Sequence, residues 1–262
     1  MRRILVFFFS LKSLMLCADN FHRFDLTSEE FQKKVQHVKS HKILIPNDPA
    51  YKKPTMFWAY SCKDIFSLEQ GFKNRSAADS FILEAADGYQ VTVDTMTLKK
   101  EGCYIAYALV DKVSSQKKVW ENFLHGKETT SPAPYYMVWK DGFKDQDPRP
   151  WSWQLVAIMS YDAKRYESLK PKESAFENGF KLYQKHCLKC HSINLLGGNV
   201  GFEMNVPKNI TEYYSYEFFS NFVKDPNSFR ARSKMPAQNL DSESLKQIWD
   251  YLGSMKKFKK LE

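Results

Sequence analysis

The sequence lacks a long hydrophobic run, a dense basic stripe, an internal repeat and any low-complexity tract. Beyond residue 18 no stretch approaches the ~18 uninterrupted apolar residues that a membrane-crossing helix needs, so no membrane span is expected in the mature chain. Without a concentrated Lys/Arg patch there is no electrostatic footprint for nucleic acid. Cysteine is also scarce, with five in 262 residues: Cys17, Cys62, Cys103, Cys187 and Cys190.

What is present is enough chain for two compact domains. The aromatic share of 15% argues against extensive disorder. Residues 1–18 read as an export signal, hence a periplasmic protein. Arg2 and Arg3 give a positive start, an apolar run covers Ile4 to Leu11, Leu14 to Leu16 extend it beyond Lys12, and Ala18 suits cleavage. The formal charge of +9 loses three basic residues with that segment. A mild positive excess remains, suited to docking an acidic partner protein.

After the signal, Thr27-Ser28-Glu29-Glu30 has the form of a capping box, with Thr27 as cap, Glu30 reaching back, and Leu26 and Phe31 as a hydrophobic staple. A helix from Ser28 to about Val38 is expected. Residues 43–150 read mostly as short strands: Phe81 to Ala85, Val91 and Val93 in alternation, Ile105 to Val110, Tyr135 to Trp139, with Trp153 to Ile158 beyond. Residues 19–170 are therefore expected to form an α+β, mainly-β domain. The composition changes at Leu169-Lys170-Pro171-Lys172, taken as the linker to a second domain, 171–262. There helical signals dominate: an amphipathic stretch from Ser174 to about His186, a shorter helix from Ser215 to Val223, and a last one capped by Asp241 or Ser242, with Leu245, Ile248, Trp249, Leu252 and Met255 on one face.

The chemistry resides in Cys187-Leu188-Lys189-Cys190-His191. Two thiols spaced by two residues reach the two vinyl groups on one haem edge, and the next residue offers an imidazole to the iron. This is the pattern of c-type haem attachment. A zinc site would need a second Cys or His pair nearby, which is missing. One such motif implies one haem c, joined through Cys187 and Cys190, with His191 as an axial ligand. A second axial ligand is expected from methionine, which favours reduced iron. Met235, in Ser233-Lys234-Met235-Pro236, is the best candidate, because a loop followed by proline is held stiffly. Met204 is the rival, and Met255 reads as core. Six-coordinate iron has no open position for a substrate, so no catalytic residue is assigned; the reading is of an electron carrier rather than an enzyme.

These residues carry a family resemblance. Residues from about 174 to 256 resemble a class I cytochrome c domain: first helix, haem motif, Gly-rich loop, helices, Met-Pro loop, last helix. The resemblance implies that Gly179 and Tyr183 on the first helix pack against Tyr251, beside Ile248, on the last. It also implies that a carbonyl after the motif accepts from the axial histidine; the family's usual Gly-Pro is replaced here by Gly201-Phe202, and any backbone carbonyl can serve. Arg230 and Arg232 are candidates to neutralise haem propionates, with Tyr213, Tyr214 and Asn205 as hydrogen-bond donors.

Within residues 43–165, Asp48-Pro49-Ala50-Tyr51, Ala85-Ala86-Asp87-Gly88-Tyr89, Pro134 to Trp139, and Trp151 to Gln154 resemble parts of the sulfite-oxidase-type molybdopterin-binding fold. That resemblance implies either a cofactor-free domain that positions partners, which is the reading favoured, or a haem-containing molybdenum oxidoreductase acting on a small substrate. Catalytic members ligate molybdenum through a cysteine flanked by glycine and arginine; neither Cys62 nor Cys103 has that surround, so molybdopterin is not expected. Two buried, inert thiols at these positions is the reading favoured over a disulfide.

Overall fold

A computed structural model describes residues 22–69, 72, 80–126, 128–145, 147, 149–161, 166–231 and 233–260. The export signal expected at 1–18, with Cys17, lies outside them, as does Arg232.

The N-terminal part is built from antiparallel pairings. Strands β1 (Arg23–Asp25), β11 (Leu155–Ser160), β4 (Ser80–Ala85) and β5 (Gln90–Asp94) form one sheet in that order. A second runs β10 (Tyr136–Trp139), β6 (Cys103–Val110), β3 (Lys53–Ser61), β2 (His41–Asp48), with β7 (Lys117–Lys118) also on β6. β8 (Phe123–His125) and β9 (Glu128–Thr130) make a separate hairpin.

Side-chain alternation with period two distributes these strands between cores. Phe81 and Leu83 of β4 join Ile105, Met137, Trp139 and Ile158 in a core between the two sheets. On the other face of the second sheet, Ala106, Tyr136 and Val138 pack with Ile43, Ile45 and Phe57. On the other face of the first, Ile82 and Met159 enter a third core, which belongs to the C-terminal helices. The two parts of the chain thus share a hydrophobic boundary. Leu169, at the expected linker, is itself wholly buried in that third core, and its carbonyl accepts from the Tyr251 hydroxyl at 2.9 Å.

Two local expectations need correction. The first helix, α1, spans Glu29–Val35 and its cap is Ser28, whose hydroxyl accepts from Phe31 N–H; Thr27 instead donates to the Asp25 carboxylate. Glu30 faces Lys34 rather than reaching back. The hydrogen-bond demand is met one residue later because Asp25 captures Thr27. Second, Cys62 and Cys103 are not free thiols: they form a disulfide, Cα–Cα 5.4 Å, tying the start of α2 (Cys62–Ser67) to the first residue of β6. β3 and β6 are hydrogen-bonded neighbours, so the pairing that puts Ser61 opposite Tyr104 also brings the two sulfurs together. Sequence spacing carries no trace of that register. A short helix α3 (Thr95–Lys99) follows β5.

The C-terminal part is helical: α4 (Glu177–His186), preceded by a 3-10 turn over Ser174–Phe176; α5 (Tyr216–Lys224), capped by Ser215; α6 (Pro226–Phe229); and α7 (Ser242–Ser254), capped by Asp241. α4 and α7 cross at Gly179. A Cβ there would lie 2.1 Å from the Gln247 carbonyl oxygen and 2.9 Å from the Tyr251 Cβ, so only glycine permits the approach. Phe180 and Tyr183 of α4 meet the Tyr251 ring at 5.4 and 5.8 Å between centroids.

Candidate haem-attachment site

Helix α4 does not stop cleanly at His186. The amides of Cys187 and Leu188 both bond to the Tyr183 carbonyl, and those of Cys190 and His191 both bond to the Cys187 carbonyl. This extra turn gathers Cys187, Cys190 and His191. Both cysteines are unpaired and half-buried. Burial pushes the Cys187 thiol up to about 12 and the Cys190 thiol upward as well. These are neutral thiols, unlike the easily ionised thiolate of a disulfide-exchange enzyme.

His191 is 8% exposed. Its Nδ1 lies 2.9 Å from the Phe202 carbonyl oxygen. Burial lowers the imidazole's pKa, against the Phe202 hydrogen bond. A neutral ring with its proton on Nδ1 leaves the lone pair on Nε2, the state a metal ligand requires. The ring is cradled by Gly201: a Cβ there would fall 2.1 Å from His191 Cε1. Tyr183, fully buried, donates its hydroxyl to the His191 carbonyl at 3.0 Å. An unpaired Cys pair, a fixed neutral imidazole and a glycine that makes room for it fit a covalently bound haem.

The loop after the motif is held by residues that sequence reasoning missed. Asn194 and Leu195 adopt successive left-handed conformations, φ +52° and +64°. Their amides converge on the Glu203 carboxylate at 2.9 and 3.0 Å, and Asn205 N–H bonds to it at 2.8 Å. Adjacent amides pointing into one concavity make an anion nest, which here stabilises an otherwise unfavourable backbone. A buried asparagine chain continues inward: Asn205 donates to Asn194 Oδ1 and the Met255 carbonyl, and Asn209 donates to Asn205 Oδ1 and the Leu252 carbonyl. The loop is thereby fastened to the end of α7. The one signal was the density of asparagine there: four fall between 194 and 209, and Asn194, Asn205 and Asn209 are the three that link. Asn205 is therefore corrected as a propionate donor: it is wholly buried and its groups are taken.

Of the methionines, Met204 and Met255 are buried in the helical core. Met235 is half-buried against the same core on the loop between α6 and α7, which is pinned by the Gln238 amide bonding to the Val223 carbonyl. Tyr213, Tyr214 and Arg230 are exposed. Among the described residues no helix is long and apolar enough to cross a membrane.

Comparison with known proteins agrees with this geometry. Residues 174–252 match the family model described as cytochrome C oxidase, cbb3-type, subunit III. No curated protein and no solved structure matches the chain. The match does not reach the β-rich part, and the likeness to a molybdopterin-binding fold gains no support from it. The chain carries a C-terminal cytochrome c domain, which implies haem c, electron transfer and redox partners, behind a mainly-β N-terminal region.

Proposed function

We propose that the protein is a periplasmic, monohaem c-type cytochrome that passes single electrons between redox partner proteins. In this reading residues 19–170 form the β-rich domain and 171–262 the cytochrome domain. Cys187 and Cys190 would hold the haem covalently, each through a thioether bond. His191 Nε2 and Met235 would be the protein ligands to its iron. The haem supplies one-electron chemistry. The chain's residues fix the ligands, exclude water and keep the imidazole neutral. The carrying observation is the shared turn of Cys187, Cys190 and His191, with His191 Nδ1 committed to the Phe202 carbonyl.

Two observations support the remainder. The Cys62–Cys103 disulfide suits an oxidising compartment and agrees with the export-like start of the chain. It also occupies both sulfurs that a molybdenum-bearing N-terminal domain would draw on, which favours a cofactor-free domain over the oxidoreductase reading.

The test is production in a host that attaches haem c. The parent protein is expected to keep haem through a denaturing gel and to contain one iron per chain, without molybdenum. Cys187→Ala combined with Cys190→Ala is expected to leave none on the gel; retained covalent haem would reject the attachment site.

A further inference from the structure

The β4–β5 turn of the N-terminal part lies directly on the haem-attachment segment. Gln90 N–H bonds to the Lys189 carbonyl at 2.9 Å, and Asn199 N–H returns a bond to the Gly88 carbonyl at 3.0 Å. Asn199 belongs to the glycine-bearing loop that wraps the motif, where Gly198 N–H bonds to Leu188 and Gly201 N–H to Cys190. The fit at Gly88 is tight: its φ is +89° and a Cβ would sit 1.4 Å from Asn199 Oδ1. Tyr89, between the two bonded residues, is half-buried; burial pushes its phenol up to about 12, and Cys190 and Asp87 are near enough to act on it electrostatically. A second crossing contact joins Glu128 of β9 to Lys234, next to Met235, at 3.5 Å. Being exposed on both sides, it contributes little energy but marks where the surfaces meet.

We propose that Tyr89 is a positioning residue of the redox centre: the Asp87–Gln90 turn closes the Cys190 edge of the haem-attachment segment to water and so sets the reduction potential. This rests on the attachment site proposed above. Burial is a lever on haem potential, because a poorly solvated site disfavours the more highly charged oxidised iron. The β-rich part is then more than a tether. It is a fixed cover on one edge, and external partners exchange electrons elsewhere on the surface.

The experiment uses the full-length haem-loaded protein with Tyr89→Ser and Tyr89→Phe. Tyr89→Ser, which opens the edge, is expected to shift the reduced-to-oxidised equilibrium about tenfold toward the oxidised form, or about 59 mV for one electron. Tyr89→Phe, which keeps the ring, is expected to stay within about twofold of the parent. A Tyr89→Ser potential equal to the parent's would overturn the proposal. If that variant does not accumulate, the parent decides through chemical nitration: Tyr89 should react more slowly than exposed Tyr213, and equal rates would overturn the cover. A parent without covalent haem would instead sink the attachment reading, while nitration would still report whether the edge is covered.

Discussion

His191 and Phe202 are joined by one hydrogen bond, from the imidazole Nδ1 to the backbone carbonyl, 2.9 Å long. It settles the orientation and tautomer of the ring with a backbone group, which no side-chain substitution at 202 removes. Phe202 itself is 52% exposed, and its ring meets the imidazole edge-on at 5.3 Å between centroids.

The space for that ring is set by Gly201. Gly201→Ala would place a methyl carbon 2.1 Å from Cε1, forcing the imidazole or the loop to move. Covalent haem should persist, the visible spectrum should lose its parent form, and stability should fall by ~1–3 kcal/mol, as overpacking usually costs. An unchanged spectrum and an unchanged urea midpoint would show that the cradle is not required.

The second axial ligand can be read by comparing methionines. Met235→Ala should retain covalent haem, lose the sulfur-to-iron charge-transfer band and lower the reduction potential. Met204→Ala, a buried core truncation, should cost roughly 2–5 kcal/mol of stability yet keep the band. Loss of the band in Met204→Ala alone would reverse the ligand assignment.

The disulfide closes a segment with a sequence separation of 41 residues. Chain-entropy reasoning gives about 4 kcal/mol for a loop of that length. Cys62→Ala with Cys103→Ala should lower the unfolding free energy by a similar amount while leaving haem attached. A variant as stable as the parent would mean the bridge does not form in the mature protein.

Asp48 supplies a pH signature away from the haem. It is wholly buried; one oxygen accepts from Tyr51 N–H at 2.8 Å, and the other has no hydrogen-bond partner among the described residues. Burial raises its pKa from 3.8 to about 6. The folded state therefore holds the proton more tightly than the unfolded one. The associated stability is complete below about pH 4 and lost as pH rises through about 6, with a ceiling of about 3 kcal/mol. Asp48→Asn should remove that slope, read as a stability difference from the parent that changes between pH 4 and pH 8. A difference constant across that range would dismiss the assignment.

The sequence and the fold agree where information is local. β4, β5, β6 and β10 were legible as alternating or β-branched runs, and α4, α5 and α7 as periodic stretches; Ser215, expected as the first residue of α5, is its cap, and of the two candidates for α7 the cap is Asp241. The Gly179–Tyr251 approach was implied by the family resemblance and appears in the packing. The long strands β2 and β3 are harder to read, because Asp48-Pro49 and Lys53-Pro54 carry turn signals where β2 ends and β3 begins. Pro54 sits one residue into β3, where the ladder tolerates a missing donor.

By itself the sequence determined which side chains the proposed attachment would use, since a thiol pair and an imidazole at fixed short spacing need only one turn of backbone to converge. It also determined the helical frame around them, because periodicity and caps are encoded within a few residues. Only the tertiary structure decided which cysteines pair, which carbonyl holds His191, how the asparagine chain fastens the loop, and that the β4–β5 turn lies on the Cys187–His191 segment. Those contacts join residues far apart in the chain, and their partners are chosen by strand register and packing, which no local pattern records.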